Sequence, residues 1–233
     1  MKIERRDGRP LVIGHRGAAA VAPENTLASL QAAVTAGADL VEFDISLDLT
    51  LAHSRGEAPD EPLSLDDALE FLRAHALGLQ LDVKSVGAED GVVDAIRRHG
   101  LVGRAIVSTA FPQTARRVRA LAPEVPVAIG YPRDRYGISR LRWPPAVTAA
   151  GAGALRAAMP ARIPVLLRWA RANVLSLHHT LVSRQAVAVS HALGAPILGW
   201  TANNPETVLR LERLGVDAIV SDDPAMTLAT LRR

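Results

Sequence analysis

The 233-residue chain contains no cysteine. This absence excludes disulfides, thiol catalysis and cysteine-ligated zinc or iron–sulfur sites. Lysine is also scarce, because arginine supplies all but two of the 27 basic side chains, Lys2 and Lys84. Lys84 is therefore notable, since it lies in an apolar stretch that predicts a strand.

Aromatic residues make up 3% of the chain, and no basic stripe is interleaved with them, so we expect no nucleic-acid partner. The net charge of +3 reflects surplus surface arginine. Alanine and leucine dominate the 48% hydrophobic content, which suffices for a large core.

The sequence has no uninterrupted apolar stretch of the roughly 18–20 residues that a transmembrane helix needs. Residues 1–9 are polar and charged and lead directly into the first apolar run, so no signal peptide is predicted. We therefore expect a soluble, cytoplasmic protein.

Apolar runs alternate with longer amphipathic stretches along the whole chain, which predicts βα units and a parallel sheet. The predicted strands are 11–15, 40–45, 79–83, 105–108, 125–130, 174–176, 196–201 and 218–221. The predicted helices are 23–36, 65–76, 89–100, 114–121, 154–172, 183–193, 205–214 and 224–232. Proline suits a first helical position at Pro23, Pro205 and Pro224. Eight such units predict a single (β/α)8 TIM barrel over residues 1–233, with its site at the C-terminal strand ends.

Strand periodicity indicates which side chains face the barrel interior. In the third strand Gln80, Asp82 and Lys84 share one face, opposite a purely aliphatic one. In the second strand Glu42 and Asp44 are likewise two residues apart and share a face. Polar residues inside a barrel near strand ends are expected mainly at a catalytic mouth.

Two carboxylates on one face of an apolar strand are costly unless a cation lies between them. Mg²⁺ and Ca²⁺ prefer such oxygen ligands. The first strand ends at His15 and Arg16, between two glycines that allow close approach of a ligand. Together with Glu42 and Asp44 these residues indicate phosphate-ester chemistry.

Several short motifs occur in an order and spacing that resemble the glycerophosphodiester phosphodiesterase family. They are Gly14-His15-Arg16-Gly17, Pro23-Glu24-Asn25-Thr26, Glu42-Phe43-Asp44, Asp82-Val83-Lys84, Gly199-Trp200-Thr201-Ala202-Asn203 and the segment 215–222. The resemblance implies a TIM-barrel hydrolase that uses one divalent cation, Mg²⁺ or Ca²⁺. It also implies a small-molecule glycerophosphodiester substrate, cleaved to sn-glycerol 3-phosphate and an alcohol through a cyclic phosphate.

The resemblance assigns acid–base catalysis to His15 and His53, and metal binding to Glu42, Asp44 and Asp82. In the family, Asp commonly follows the second histidine and Glu is the more familiar third carboxylate; here Ser54 and Asp82 occupy those positions. The segments on both sides of His53 are also shorter than usual. The alternatives are that His53 is a solvent-exposed loop residue and that Asp82 pairs with Lys84 or Arg16.

Four further residues are expected to bind phosphate or substrate. Arg16 suits bidentate phosphate contact, and Lys84 would bind phosphoryl oxygens unless it is a surface lysine. Glu24 orients Arg16 or binds ligand, or else complements a helix N-terminus. Trp200 forms a wall for the glycerol moiety or packs in the core. His178 and His179 receive no role.

Residues 131–171 are the least regular part of the chain, with five prolines, two tryptophans and several arginines. They form either a long surface connection or a lid or lipid-facing patch that contacts a membrane peripherally. Two other functions stay open: a lysophospholipase D-type or cyclising phosphodiesterase, and a non-catalytic phosphoester-binding barrel. The sequence does not predict an oligomeric state.

Overall fold

The computed structural model describes residues 1–53, 61–133 and 145–232. The strands are β1 (Leu11–Gly14), β2 (Leu40–Ile45), β3 (Gly78–Val83), β4 (Ala105–Thr109), β5 (Val127–Tyr131), β6 (Val174–His178), β7 (Ile197–Trp200) and β8 (Ala218–Ser221). The α-helices are α1 (Leu27–Ala36), α2 (Leu65–Arg73), α3 (Glu89–Arg98), α4 (Pro112–Leu121), α5 (Pro145–Ala170), α6 (Arg184–Ala192), α7 (Pro205–Leu214) and α8 (Pro224–Leu231).

The eight strands form a closed parallel barrel in chain order, and β1 pairs with β8 to complete it. This confirms the predicted (β/α)8 TIM barrel. The predicted bounds of β2, β8 and α7 agree with the structure at both ends. Within the described residues no helix is both long and apolar enough to cross a bilayer.

The start of the first helix differs from the prediction. Pro23 is not its first residue, because α1 begins at Leu27 with Thr26 as its N-cap. The Thr26 hydroxyl accepts a hydrogen bond from the Ser29 amide, and the Ser29 hydroxyl accepts one from the Thr26 amide. This capping box satisfies amide groups at the helix start, so Pro23 to Asn25 belong to the β1–α1 loop.

The fifth helix also differs, because it runs from Pro145 to Ala170 and includes Pro160 and Pro164. The sequence pattern predicted this helix only over 154–172, so the observed helix begins nine residues earlier and ends two residues earlier. Residues 134–144 of the predicted irregular segment lie outside the described residues. Membrane contact through 131–171 stays a prediction.

Two apolar layers confirm the predicted strand parity. The larger core lies between barrel and helices and takes Val41, Phe43 and Ile45 from β2. A smaller cluster fills the barrel and contains Ile13, Leu40, Ile106, Ala128, Val174, Leu198 and Val220. The opposite face of β2 therefore directs Glu42 and Asp44 towards the barrel interior, where both are buried.

Candidate active site

The turn after β1 brings the backbone of His15 and Arg16 close to the neighbouring strands. A Cβ atom on Gly14 would lie 2.3 Å from the Gly17 carbonyl oxygen, so only glycine fits there. The His15 amide donates to the Ser221 carbonyl (2.8 Å), and the Gly17 amide donates to the Glu42 carbonyl (2.9 Å). The turn is thereby fixed between β8 and β2.

His15 is held by two residues from the far end of the chain. Its Nδ1 lies 2.5 Å from the Asp222 carboxylate. The Asn203 side chain donates to that carboxylate and accepts from the Asp222 amide. Because a carboxylate only accepts, Nδ1 carries the proton, and Nε2 lies 4.0 Å from Glu42 Oε2.

The surrounding charges favour the protonated form of His15. Burial lowers the pKa of His15, but the Asp222 hydrogen bond and the nearby Glu42 charge raise it above the ordinary value. For Asp222, burial opposes ionisation, yet the contact with His15 leaves the pKa of the carboxyl below its usual range. Asp222 is therefore an anion that orients His15.

Three carboxylates converge beside His15. One oxygen from each of Glu42, Asp44 and Asp82 lies within 4.8 Å of the other two. The strand register explains this proximity, since Asp44 of β2 pairs directly with Asp82 of β3. Burial and the neighbouring Asp44 charge raise the pKa of Glu42 to about 8.

Asp44 differs from Glu42 because two cations flank it. Lys84 Nζ lies 2.7 Å from Oδ1, and Arg16 Nε lies 3.0 Å from Oδ2. Burial disfavours ionisation, but these two charges outweigh it and lower the pKa of Asp44. Both cations lie at ion-pair distance from Asp44. Three clustered carboxylates that each offer an oxygen, two of them buried, fit a hard divalent cation.

Asp82 takes part in both arrangements that the sequence left open. Its carboxylate contacts Lys84 Nζ through one oxygen and accepts a hydrogen bond from Ser108 (2.7 Å) through the other. It also belongs to the three-carboxylate cluster. For Lys84, burial lowers the pKa, but Asp82 and Asp44 raise it above its ordinary value. Lys84 therefore stays protonated and is not a surface lysine.

Glu24 and Asn25 support this site from the β1–α1 loop. Glu24 accepts a hydrogen bond from Arg16 (2.6 Å), and it lies outside helix α1. Asn25 donates to the Asp44 carboxylate (3.2 Å) and accepts from the Asp44 amide (3.0 Å). Sequence reasoning gave no role to Asn25, although it lies within a quoted motif.

A cavity of about 770 Å³ joins these groups at the barrel mouth. The predicted site residues that line it are His15, Arg16, Glu42, His53, Asp82, Lys84 and Trp200. His53 is exposed, and residues 54–60 after it lie outside the described residues. Trp200 lines the cavity and also packs against the inner core; a wall for the glycerol moiety stays a prediction.

His178 and His179 lie beside the cavity without lining it. The His178 ring meets Trp200 edge-on with centroids 5.1 Å apart. Arg210 donates to His179 Nδ1 (3.1 Å). Burial, His178 and Arg210 lower the pKa of His179 to about 4, so this imidazole is neutral.

The sequence is similar to that of one known protein family over most of its length. The model of the glycerophosphoryl diester phosphodiesterase family matches residues 15–48 and 74–226. A Bacillus subtilis (strain 168) protein to which that activity is provisionally assigned is 26% identical, over 91% of this chain and 94% of its own length. A glycerophosphodiester phosphodiesterase of Caldanaerobacter subterraneus is 24% identical, over 97% of this chain and 99% of its own.

A solved structure shares the fold over nearly the whole chain. It is an Oleispira antarctica phosphodiesterase in complex with the product sn-glycerol 3-phosphate, with a TM-score of 0.75 and 22% identity. The similarity covers 97% of this chain and 98% of that one.

Proposed function

Since the chain belongs to the glycerophosphoryl diester phosphodiesterase family and is a phosphoric diester hydrolase, we propose that it cleaves glycerophosphodiesters to sn-glycerol 3-phosphate and an alcohol. The observation that carries this proposal is the meeting, in one cavity, of a carboxylate-held histidine and a three-carboxylate cluster. The product bound by the Oleispira relative supports the same substrate class.

Glu42, Asp44 and Asp82 would hold one divalent cation, Mg²⁺ or Ca²⁺. When bound, the cation supplies Lewis-acid polarisation of phosphate oxygens and lowers the pKa of a bound hydroxyl. The protein prepares this site by burying Glu42 and Asp44 and by fixing Asp44 through the Asn25 amide. Such fixed outer contacts orient ligands before binding.

His15 and His53 would share the proton transfers. Asp222 holds His15 Nδ1–H, so Nε2 is the atom that takes or gives a proton. One histidine removes the proton from the attacking oxygen, which we propose to be a glycerol hydroxyl that forms a cyclic phosphate. The other protonates the departing alkoxide, and water then opens the cyclic phosphate to give sn-glycerol 3-phosphate, with the two histidines again taking and giving the proton. An imidazole can both accept and donate a proton, which suits both tasks.

Arg16 and Lys84 would stabilise charge that develops on the phosphoryl oxygens. Both are oriented before substrate arrives, Arg16 by Glu24 and Asp44 and Lys84 by Asp44 and Asp82. Cations fixed in advance stabilise a charged transition state without reorganisation. Trp200 would provide the apolar wall beside the glycerol carbons.

The proposal is tested by release of glycerol 3-phosphate from glycerophosphoglycerol, with and without EDTA. We expect turnover that EDTA abolishes and that Mg²⁺ or Ca²⁺ restores. A matched lysophosphatidylglycerol distinguishes a lysophospholipase D-type enzyme, which would cleave the acylated substrate faster. Tight binding without any turnover would indicate a phosphoester-binding barrel instead.

A further inference from the structure

Arg133 and Phe111 form a pair on the side of the mouth away from His15. The Arg133 guanidinium carbon lies 4.0 Å from the centroid of the Phe111 ring. Phe111 follows β4 and Arg133 follows β5, and both side chains line the cavity. In a closed eight-stranded barrel β5 lies opposite β1, which carries His15. The pair therefore faces the proposed catalytic groups across the opening.

The two sides of the cavity differ in charge. Among the described lining residues the carboxylates are Glu42 and Asp82, and both come from β2 and β3. The described lining residues after or within β4 to β6 are Ser108, Ala110, Phe111, Gly130, Pro132, Arg133 and Ser176. This side of the described cavity thus presents one positive charge and no negative one.

The cavity has room for a substrate group on that side. Its volume of about 770 Å³ lies within the range typical of pockets that bind drug-sized ligands, and it is larger than the volume of one glycerol phosphate. Arg16, Lys84 and Trp200 line one part of this cavity and Phe111 and Arg133 another, so a substrate whose phosphate and glycerol lie at the first part leaves the second part for its alcohol portion.

We infer that Arg133 and Phe111 form a subsite that selects a leaving alcohol bearing an anionic group, such as a second phosphate. The inference rests on the proposed function and names its substrate class. A guanidinium pairs with phosphate through two parallel hydrogen bonds. A choline group would seek an aromatic face, but Arg133 already covers the face of Phe111. The same cation repels any cationic alcohol.

Three glycerophosphodiesters test this selection at low ionic strength: bis(glycerophospho)glycerol, glycerophosphoglycerol and glycerophosphocholine, whose alcohols are anionic, neutral and cationic. We expect kcat/KM per cleavable bond to fall in that order. In Arg133→Gln the ratio of kcat/KM for the anionic substrate to that for the cationic substrate should fall about tenfold, which corresponds to about 1.4 kcal/mol. Arg133→Lys should retain most of the preference because it keeps the charge.

The control is Arg117→Gln, because Arg117 is an exposed arginine that pairs with Asp90 and does not line the cavity. It should leave the ratio unchanged. Arg133→Gln should also uncover the face of Phe111, which can then contact the choline cation and raise kcat/KM for glycerophosphocholine. This increase should disappear in the double variant Arg133→Gln, Phe111→Leu.

An unchanged substrate ratio in Arg133→Gln, with hydrolysis intact, would overturn this inference and leave the proposed function standing. If none of the three compounds is cleaved, the proposed function fails. Calorimetric binding of the same compounds then decides the inference: affinities that do not depend on Arg133 contradict it, and an Arg133-dependent preference for the anionic compound supports it.

Discussion

His15 Nδ1 and the Asp222 carboxylate lie 2.5 Å apart although 207 residues separate them in sequence. The contact joins the turn after β1 to the end of β8, the two strands that close the barrel. Closure of the barrel therefore also assembles the pair that presents His15 Nε2 to the cavity.

We predict that Asp222→Asn lowers kcat by about 10²-fold or more, within the range of general acid–base catalysis. The anion also raises the pKa of His15, so its loss should lower that pKa and move the limb of the pH–rate profile that His15 controls to lower pH. NMR titration of His15 and the pH profile check both effects. Asp66→Asn, an exposed acid that pairs with Arg98, serves as the control. An unchanged His15 titration in Asp222→Asn would contradict the assigned role.

Glu42 should make the stability of the metal-free protein depend on pH. Its folded-state pKa is about 8, whereas an unfolded glutamate titrates near about 4.3. Between these values the folded state binds more protons than the unfolded state, so the free energy of unfolding falls as pH rises. Thermal melts in EDTA from pH 5 to 8 should show this loss.

Two further measurements test whether Glu42 causes this loss of stability with rising pH. Glu42→Gln cannot ionise, so its melting temperature should decline less over the same pH range. Saturating Mg²⁺ or Ca²⁺ should suppress the decline in the wild type, because a bound cation favours the ionised cluster. Equal slopes for the wild type and Glu42→Gln would show that Glu42 does not titrate in this range.

We predict that His15→Ala loses more activity than His53→Ala. His15 is held by Asp222 and lies against the carboxylate cluster, whereas His53 is exposed. Single-turnover rates on glycerophosphoglycerol provide the measurement, with His75→Ala on the helix side as a control. A wild-type rate in His53→Ala would remove that residue from the mechanism.

We predict that Asp82 binds the metal and does not serve only as the ion-pair partner of Lys84. Asp82→Asn removes one negative charge from the cluster and should raise the dissociation constant of the cation at least tenfold. Asp82→Glu extends the carboxylate by about one methylene and should tighten binding or change the preferred metal. Calorimetric titration with Mg²⁺ and Ca²⁺ measures both variants. If Asp82→Asn binds metal as tightly as the parent, Asp82 is an ion-pair partner of Lys84 alone.

Local patterns predicted the barrel and the inward faces of β2 and β3, because strand periodicity fixes which side chains share a face. The carboxylate cluster follows from that periodicity plus the pairing of adjacent strands. The prediction that α1 starts at Pro23 was wrong. Proline is common at the first position of a helix, but here the capping box of Thr26 and Ser29 sets the helix start at Leu27.

The contacts that hold the site were not predictable in the same way. Asp222 reaches His15, and Asn203 reaches Asp222, only after barrel closure. Both residues lie within motifs that carry the family resemblance, but nothing in those motifs indicates the contact with His15. Asn25 holds Asp44 across a loop and a strand. The sequence signal for each of these three residues was its position in a short motif that follows a strand.

The most direct test measures metal occupancy and turnover on the same samples. Metal-free protein is titrated with Mg²⁺ or Ca²⁺, bound metal is counted, and release of glycerol 3-phosphate is followed at each point. We predict no turnover without metal, a rate proportional to occupancy of one site per chain, and neither metal binding nor turnover in Asp44→Ala. A full rate in the metal-free protein, or in Asp44→Ala, would contradict it.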